Sequence, residues 1–276
     1  MLMKKTNEKG KSAMKNMIAN YHTHTYRCSH ASGEDREYIQ NAVTMGLKTL
    51  GFSDHSPMIF HSDYYSEFRI KLKDTENYFS SISSLKEEFK DKIKILAGVE
   101  AEYYPGCFRD FLDYISAYPL DYMILGQHFI WEEENGIRSF KQTDDPKTLE
   151  EYYKNVLEAA QTGKFLYIAH PDVINYTGNA DAYNKLTKEF LREIKKYDIP
   201  LEINRLGFYE KRQYPREAFW ELCGEEGIKA VIGLDAHSPQ VILDEETVDG
   251  CIAFAEKHGV EIIRELDFGK YRPDFR

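Results

Sequence analysis

The sequence has few cysteines, and their spacing fits no structural framework. Cys28, Cys107, Cys223 and Cys251 lie far apart, and no two of them form a C-x-x-C pair. Disulfide-stapled scaffolds and thiolate zinc sites both need cysteines that recur in close pairs. The pattern therefore excludes both classes and predicts a reducing, cytoplasmic location.

Long apolar runs and an excess of basic residues are also missing. No stretch approaches the roughly 20 apolar residues that cross a bilayer, and no secretory signal peptide is visible. The formal charge is −10, from 36 basic and 46 acidic residues, whereas a sequence-independent grip on nucleic acid needs clustered Lys and Arg. We expect neither a membrane nor a nucleic acid as partner.

The sequence does contain enough apolar material for one large domain. Its 276 residues are 42% hydrophobic, and no linker, low-complexity tract or close internal repeat divides them. The first sixteen residues are rich in Lys and lack an apolar periodicity. We therefore predict a disordered N-terminal extension at residues 1–16 and a single domain over residues 17–276.

Short apolar runs alternate with longer amphipathic stretches along that domain. The strand candidates are Met17–His22, Leu47–Ser53, Ile93–Glu100, Tyr122–Gly126, Phe165–Ala169, Pro200–Asn204 and Lys229–Leu234. The main helix candidates are Glu34–Met45, Asp74–Phe89, Thr148–Gln161, Lys185–Tyr197 and Pro215–Glu226. Repeated strand–helix units predict a parallel sheet with helices outside it, and seven such units favour a barrel over an open sheet.

Titratable side chains recur where the strand candidates end. They are His22, His24, Asp54, His55, Glu100, His128, His170, Asp235 and His237. In parallel α/β barrels the carboxyl ends of the strands share one face, so residues more than two hundred positions apart would meet in one pocket. For a lone histidine a surface or satisfied core role is the better interpretation, but a core tolerates so many titratable groups poorly.

Two triplets have the spacing of metal ligands. His22-Thr-His24 and Asp235-Ala-His237 each place two ligand side chains two residues apart in extended chain, where they point the same way. Either triplet alone is a weak signal. Imidazole and carboxylate without thiolate suit zinc, manganese or iron, so the set as a whole predicts a metal-dependent hydrolase.

The motifs around these residues resemble the PHP superfamily, named for polymerase and histidinol phosphatase. The matching segments are N-Y-H-T-H-T at Asn20–Thr25, His30, S-D-H-S-P at Ser53–Pro57, G-V-E-A-E at Gly98–Glu102, Q-H at Gln127–His128, A-H-P-D at Ala169–Asp172 and G-L-D-A-H-S-P at Gly233–Pro239. The resemblance implies a distorted (β/α)7 barrel of the TIM-like kind. Its catalytic domain would occupy residues 17–276, with the metal site at the carboxyl ends of the strands.

The resemblance also implies a ligand set and a reaction. One ion would be held by His22, His24, Glu100 and Asp235, a second by His30, His55 and His237, and a third by His128 and His170 with Glu100 as the bridge. Two or three divalent transition-metal ions (Zn, Mn or Fe) are thus expected, with a metal-bridging hydroxide attacking phosphorus. The candidate catalytic residues are Asp54, His55, Asp235 and His237. Asp54 is a candidate proton donor, but it fits equally well as a carboxylate that orients a ligand imidazole.

Chain length, the S-D-H-S-P motif and the single-domain layout resemble the histidinol-phosphate phosphatases of histidine biosynthesis. The expected substrate is then the small phosphorylated compound L-histidinol phosphate. Arg205, just beyond a strand candidate, is the first candidate for a phosphate contact and Arg27 the second, because guanidinium grips phosphate bidentately. A surface salt bridge is the competing interpretation of Arg205. Asn175 departs from the pattern, since these phosphatases often carry arginine five residues after the histidine that matches His170.

Three alternatives remain open at this point. The protein could cleave another small phosphomonoester, or it could act on nucleotide ends, which its acidity mildly disfavours. It could also be a structural or regulatory metal-binding module. A structural metal site usually has closed coordination by four ligands. Nine candidate ligands, one of them the bridging carboxylate of Glu100, instead predict an open site with more than one ion.

Overall fold

Parallel strands and helices alternate along the computed structural model, which describes residues 17–271 and 273–275. The strands are β1 (Ala19–Asn20), β2 (Thr49–His55), β3 (Lys94–Ala101), β4 (Tyr122–Leu125), β5 (Phe129–Ile130), β6 (Ile137–Arg138), β7 (Leu201–Asn204) and β8 (Ala230–Gly233). The helices are α1 (Asp35–Met45), α2 (Thr75–Phe89), α3 (Phe108–Ile115), α4 (Pro146–Gln161), α5 (Ala180–Ile194), α6 (Arg205–Glu210), α7 (Glu217–Glu226) and α8 (Glu245–Lys257). The predicted extension at residues 1–16 lies outside the described residues.

The sheet is parallel and curls on itself. Strands β1 to β4 pair in chain order, and β7 pairs with β8. The two parts are joined through the predicted strand at Phe165–Ala169, where Ala169 N donates to Leu125 O at 2.8 Å and Ile168 N donates to Pro200 O at 3.1 Å. A parallel bridge between Thr23 and Ala236 brings the chain after β8 back beside the chain after β1. The predicted α/β class is confirmed.

The helix starts differ from prediction where a cap precedes the apolar periodicity. Helix α4 begins at Pro146, two residues before the predicted start, and the side chain of Asp145 caps it by accepting from Lys147 N. Helix α5 begins at Ala180, five residues early, with Asn179 as its cap. Asp and Asn are preferred N-caps and Pro is favoured at the first helical position, so these signals were present in the sequence. No helix in the described part of the chain is long and apolar enough to cross a membrane.

Strands β2 and β3 have no solvent-exposed face. All seven residues of β2 are buried, as are all residues of β3 after Lys94. Such continuous burial is typical of parallel strands covered on both sides. Polar side chains within these strands are therefore withdrawn from bulk water wherever they occur, which matters for the carboxylate of Glu100.

Tyr122 fills the inside of the curled sheet. Its single hydroxyl proton is shared between Tyr21 O at 2.8 Å and Phe52 O at 3.0 Å, so the ring spans between strands and its hydroxyl is hydrogen-bonded. The ring fits because β3 carries glycine beside it: a Cβ at Gly98 would lie 2.4 Å from two ring carbons of Tyr122. Phe268 covers the same aromatic cluster from the C-terminal segment. The interior is thus packed by apolar groups on this side.

Replacing Gly98 with alanine should destabilise the fold, because the new methyl group would overlap the ring of Tyr122. Overpacking of this kind costs about 1–3 kcal/mol in the free energy of unfolding. Urea denaturation followed by circular dichroism measures it. The matched control is Gly106→Ala, since a Cβ there meets nothing within 4 Å. Equal stability of the two variants would contradict the proposed packing.

Candidate metal centre

The predicted ligands meet around one cavity of about 880 Å³. The residues of the predicted set that line it are His24, His30, His55, Glu100, His128, His170, Asp235 and His237. His22 lies behind them and is fully buried. Each follows or ends a strand of the curled sheet, with two exceptions. His170 follows a segment that joins the sheet through isolated bridges at Ile168, and His30 follows a short 3₁₀ turn at Tyr26–Cys28. The carboxyl end of the sheet therefore carries nine nitrogen- and oxygen-bearing side chains in one place.

The register of β2 and β3 places the first two of these side chains together. His55 pairs directly with Glu100 across the two strands, and its Nδ1 lies 3.0 Å from Glu100 Oε2. Adjacent residues in a parallel pair project to the same side of the sheet. A one-residue slip would turn one of them away, so the site depends on this register.

Glu100 uses its two oxygens toward different histidines. Its Oε2 lies 3.6 Å from His22 Nε2 and 3.5 Å from His24 Nε2. Its Oε1 lies 2.8 Å from His170 Nε2 and 3.6 Å from His128 Nε2. A carboxylate that faces two separate groups of imidazoles has the geometry of a bridge.

Asp235 closes the first of these groups from the opposite end of the chain. Its Oδ1 lies 3.1 Å from His24 Nε2 and 3.6 Å from His22 Nε2. Asp235 has a φ of 49° and His170 one of 30°, the left-handed conformation that residues other than glycine seldom adopt. Such strain persists only where the surrounding structure holds it, and it is common at functional sites.

His30 and His237 face each other with their Nε2 atoms 3.0 Å apart. The Nδ1 of His30 contacts the carbonyl oxygen of Cys28 at 2.9 Å, and the Nδ1 of His237 contacts the carbonyl oxygen of Asp235 at 3.0 Å. Because a carbonyl oxygen only accepts, each Nδ1 carries the proton and each neutral ring keeps its lone pair on Nε2. Two such lone pairs 3.0 Å apart repel each other unless a proton or a metal ion lies between them.

Carboxylates behind the imidazoles fix two further rings. His22 Nδ1 lies 2.8 Å from Glu202 Oε1, and His128 Nδ1 lies 2.8 Å from Glu102 Oε1. Donation to an outer carboxylate orients a ligand imidazole and raises its basicity. Sequence reasoning missed both carboxylates. The signal for Glu202 was a charged residue in the middle of an apolar strand candidate.

Glycines leave the space that two of the carboxylates occupy. A Cβ at Gly126 would lie 1.9 Å from Glu100 Oε1, and one at Gly233 would lie 1.7 Å from Glu202 Oε1. Side chains at these positions would displace the carboxylates. The glycines at the ends of β4 and β8 are thus part of the site although they contribute no ligand atom.

Opposite charges within the cluster shift its pKa values. Burial alone would raise the pKa of Glu100, but His55, His128 and His22 hold it well below its ordinary value. Burial would also raise the pKa of Asp235, and His22 and His237 hold it well below normal. Both carboxylates are therefore ionised, as a metal ligand must be.

The donor set fits divalent cations. Several deeply buried atoms that face the centre lack a hydrogen-bond partner, among them His22 Nε2, His24 Nε2 and Glu100 Oε2. Buried polar atoms are rarely left unpaired. Among the described residues, the groups whose ligand atoms approach within 4.8 Å include His22–His24–Asp235, His22–Glu100–His170, His55–Glu100–His128 and His24–His55–His237. Nitrogen and oxygen donors in such groups suit zinc, manganese or iron.

Asp54 lies behind the ligands and not among the residues that line the cavity. It is fully buried and accepts hydrogen bonds from the hydroxyl of Thr25 and, at 3.0 Å, from His55 N. Its Oδ1 lies 3.5 Å from His24 Nδ1. These contacts favour the orienting role over proton donation to a leaving group.

The two arginines predicted to bind substrate are engaged elsewhere. Arg27 contacts Asp35 Oδ1 at 2.9 Å, and the buried Arg205 forms an ion pair with Asp244, which is partly exposed. Neither is among the described residues that line the cavity. Arg138 and Arg212 line it instead. The sequence did not single these out, because Arg138 lies in β6 and Arg212 follows α6, two short elements that were not predicted.

Two histidines outside the ligand set lie apart from the centre. His61 is exposed and contacts Asp110 at 2.5 Å, and His258 contacts Glu217 at 2.7 Å at the end of α8. Neither lies within the motif segments that resemble the PHP superfamily.

Comparison with known proteins identifies the family. Residues 20–206 match the PHP domain. The chain belongs to the PHP domain family. It is 29% identical over 228 residues to a "Probable histidinol-phosphatase" of Deinococcus radiodurans, covering 80% of this chain and 87% of that protein. It is 23% identical to a histidinol-phosphatase of Bacillus subtilis, covering 78% and 92% of the two chains.

A solved structure shares the fold of this PHP domain. The histidinol phosphate phosphatase of Lactococcus lactis, complexed with zinc, L-histidinol and phosphate, superposes with a TM-score of 0.69 at 21% identity. The match covers 91% of this chain and 98% of that one. At this identity the similarity establishes the fold: an α/β architecture with a curled parallel sheet.

Replacing Glu100 with glutamine should remove more bound metal than replacing a ligand of one group, because both oxygens face imidazoles of different groups. We expect fewer ions per chain in Glu100→Gln than in His237→Ala, and a loss of turnover beyond the about 10–100-fold that follows loss of an outer partner. Elemental analysis after dialysis measures the content. Glu67→Gln, which removes a carboxylate from the cavity wall outside the ligand groups, should keep full metal content. A Glu100→Gln variant with unchanged content would refute the bridging role.

Proposed function

We propose that the protein is a metal-dependent phosphomonoesterase that hydrolyses L-histidinol phosphate to L-histidinol and phosphate in histidine biosynthesis. One observation carries the proposal: the imidazole and carboxylate cluster opens into the same cavity as Arg138 and Arg212. A phosphate ester needs cations around its anionic oxygens before a nucleophile can approach. The names of the relatives, and the zinc, L-histidinol and phosphate held by the Lactococcus lactis structure, support this substrate.

Two or three divalent transition-metal ions, zinc, manganese or iron, would be held in the groups implied by the sequence motifs. His22, His24, Glu100 and Asp235 would hold one, His30, His55 and His237 a second, and His128 and His170 with Glu100 a third. When bound, such ions lower the pKa of a water molecule and neutralise charge on phosphate oxygens. Glu202, Glu102 and Asp54 orient the ligand rings from behind.

Arg212 is the proposed phosphate contact. Its guanidinium is partly exposed on the cavity wall, with Nε and Nη2 each 2.7 Å from Glu210 Oε2 and Nη1 donating to Tyr214 Oη at 3.0 Å. Donors not used in these contacts are free to bind phosphate in the fork geometry that arginine favours. Arg138, whose guanidinium lies 5.4 Å from the ring centre of Phe129, supplies a second positive charge from the other side.

Aromatic and acidic residues on the wall suit the remainder of the substrate. Phe68 lies edge-on to His55 with ring centres 5.1 Å apart and borders the cavity. Its ring offers an apolar surface for the imidazole of histidinol phosphate. Glu67 and Glu210, also on the wall, are the proposed partners of the substrate amine.

The finer architecture and the location belong to the same proposal. We assign the fold as a distorted (β/α)7 barrel whose catalytic domain covers residues 17–276. Support comes from the hydrogen bonds that join Phe165–Ala169 to its neighbours and from the Thr23–Ala236 bridge. A cytoplasmic location is supported by the four cysteines, which carry free thiols.

A phosphate-release assay tests the function. Purified protein loaded with Mn²⁺ or Zn²⁺ is supplied with L-histidinol phosphate, phosphoserine, sugar phosphates and nucleoside monophosphates. Preference for L-histidinol phosphate supports the proposal. Asn175 stands where similar phosphatases often carry arginine, and it donates to Phe140 O at 3.3 Å beside the cavity. A different phosphomonoester is therefore the alternative substrate. Cleavage of another compound with no activity on L-histidinol phosphate would overturn the substrate and keep the metallophosphatase, whereas no cleavage of any would overturn both.

Replacing Arg212 with alanine should raise KM for the preferred substrate. Hydrogen bonds to charged groups are worth about 1.5–3 kcal/mol, which corresponds to roughly 10–100-fold. Arg212→Lys should recover part of the loss, since a point charge does not reproduce the fork. Metal content should stay unchanged, because guanidinium is not a ligand.

Arg205→Ala distinguishes the two phosphate candidates. It should lower the melting temperature, because it leaves Asp244 without its buried partner, and it should change KM less than Arg212→Ala does. If KM rises in Arg205→Ala and stays unchanged in Arg212→Ala, Arg205 is the phosphate contact and Arg212 is excluded.

A further inference from the structure

A buried cation lies close to both the candidate metal ligands and the cavity wall. Arg69 is 2% exposed, and its Nη1 lies 2.5 Å from Glu102 Oε2. Its Nη2 and Nε lie 2.6 and 2.7 Å from Glu133 Oε2. Both carboxylates are buried as well. Since buried charges are tolerated only when paired, the three side chains form one unit.

One arm of this unit reaches the metal centre. Glu102 contacts Arg69 through Oε2 and His128 Nδ1 through Oε1, the latter at 2.8 Å. With Nδ1 held by the carboxylate, His128 directs Nε2 toward Glu100 Oε1, 3.6 Å away. The guanidinium therefore restrains a ligand imidazole through a single intervening carboxylate.

The other arm reaches the wall of the cavity. Glu133 lies in the connection between β5 and β6, and Phe129 and Arg138 on those strands line the cavity. Phe68, directly before Arg69 in the chain, lines the cavity too, and its ring centre lies 4.7 Å from the guanidinium carbon. Arg69 thus ties together two segments of the cavity wall that are far apart in the sequence.

We infer that Arg69 is a positioning residue, which fixes the ligand ring of His128 through Glu102 and the cavity wall at Phe68 and β5–β6 through Glu133. The link from Arg69 through Glu102 to His128, the metal arm, stands on geometry alone. The link from Arg69 through Glu133 to the cavity wall, the wall arm, rests on the proposed function. Without the guanidinium, two buried carboxylates lose their shared cation. Each must then move toward another donor or toward water, and movement of Glu102 releases His128.

Variants of the two carboxylates separate the arms. Glu102→Gln should weaken metal binding about 10–100-fold, as loss of an outer partner does, and should change the ring-nitrogen signals of His128 in ¹H–¹⁵N spectra of the metal-free protein. Glu133→Gln should leave metal affinity and these signals unchanged and should raise KM for L-histidinol phosphate. Arg69→Lys should show both effects in weaker form than Arg69→Met, because lysine keeps the charge but cannot span both carboxylates. Zn²⁺ titration measures the affinity.

Lys86→Met is the matched control. It removes the cation 2.7 Å from Asp121, a carboxylate that accepts from Ala97 N in β3 away from the metal centre. The control should lower the melting temperature without changing metal affinity, the His128 signals or KM. If Glu102→Gln and Arg69→Lys behave like this control, Arg69 is purely structural and the inference is wrong.

The outcomes also distinguish this inference from the proposed function. A wild-type protein that neither cleaves L-histidinol phosphate nor binds L-histidinol in calorimetry would overturn the function and, with it, the wall arm. The metal titrations and the His128 signals decide the metal arm in either case. Unchanged KM in Glu133→Gln, in a wild-type background that cleaves the substrate, would overturn the wall arm alone.

Discussion

The carboxylate of Glu100 is the group on which the rest of the site depends. It is 1% exposed in a strand whose other residues after Lys94 are apolar, where an isolated negative charge would be very unfavourable. Imidazoles from four other parts of the sheet surround it, and they keep it ionised. The cluster of histidines is thus both the proposed ligand set and the condition that makes a buried carboxylate tolerable.

Around this centre the protein holds four of the seven rings from behind, those of His22, His30, His128 and His237. Glu202, Glu102 and backbone carbonyl oxygens take up the Nδ1 atoms and leave Nε2 directed inward. Such contacts are what keep a metal site in its geometry. Glu202 lies in β7 and Glu102 directly follows β3, and the glycines at 126 and 233 provide the room that Glu100 and Glu202 need. Precision in the site therefore comes from packing of the curled sheet.

The cavity wall has a different origin from the ligand cluster. Phe68, Arg138 and Arg212 lie in connections between the main strands and helices, where sequence varies most freely in proteins of shared fold. The proposed metal ligands and the proposed substrate contacts therefore come from different parts of the chain. Arg69 is the place where they meet, since one guanidinium contacts carboxylates of both.

The sequence alone determined the α/β class, the order of the main strands and the nine candidate ligands, because apolar periodicity and residue chemistry are local properties. The caps at Asp145 and Asn179 are also local signals, and they mark the true starts of α4 and α5. What only the tertiary structure decided is which side chains share a space. Arg205 is the phosphate candidate of the sequence, and the structure pairs it with Asp244. Glu202 and Arg69 gain their proposed roles from contacts with residues distant in the chain, and Arg212 gains its proposed role from its place on the cavity wall. Pairing of buried charges depends on those long-range contacts, and no local pattern in the sequence encodes them.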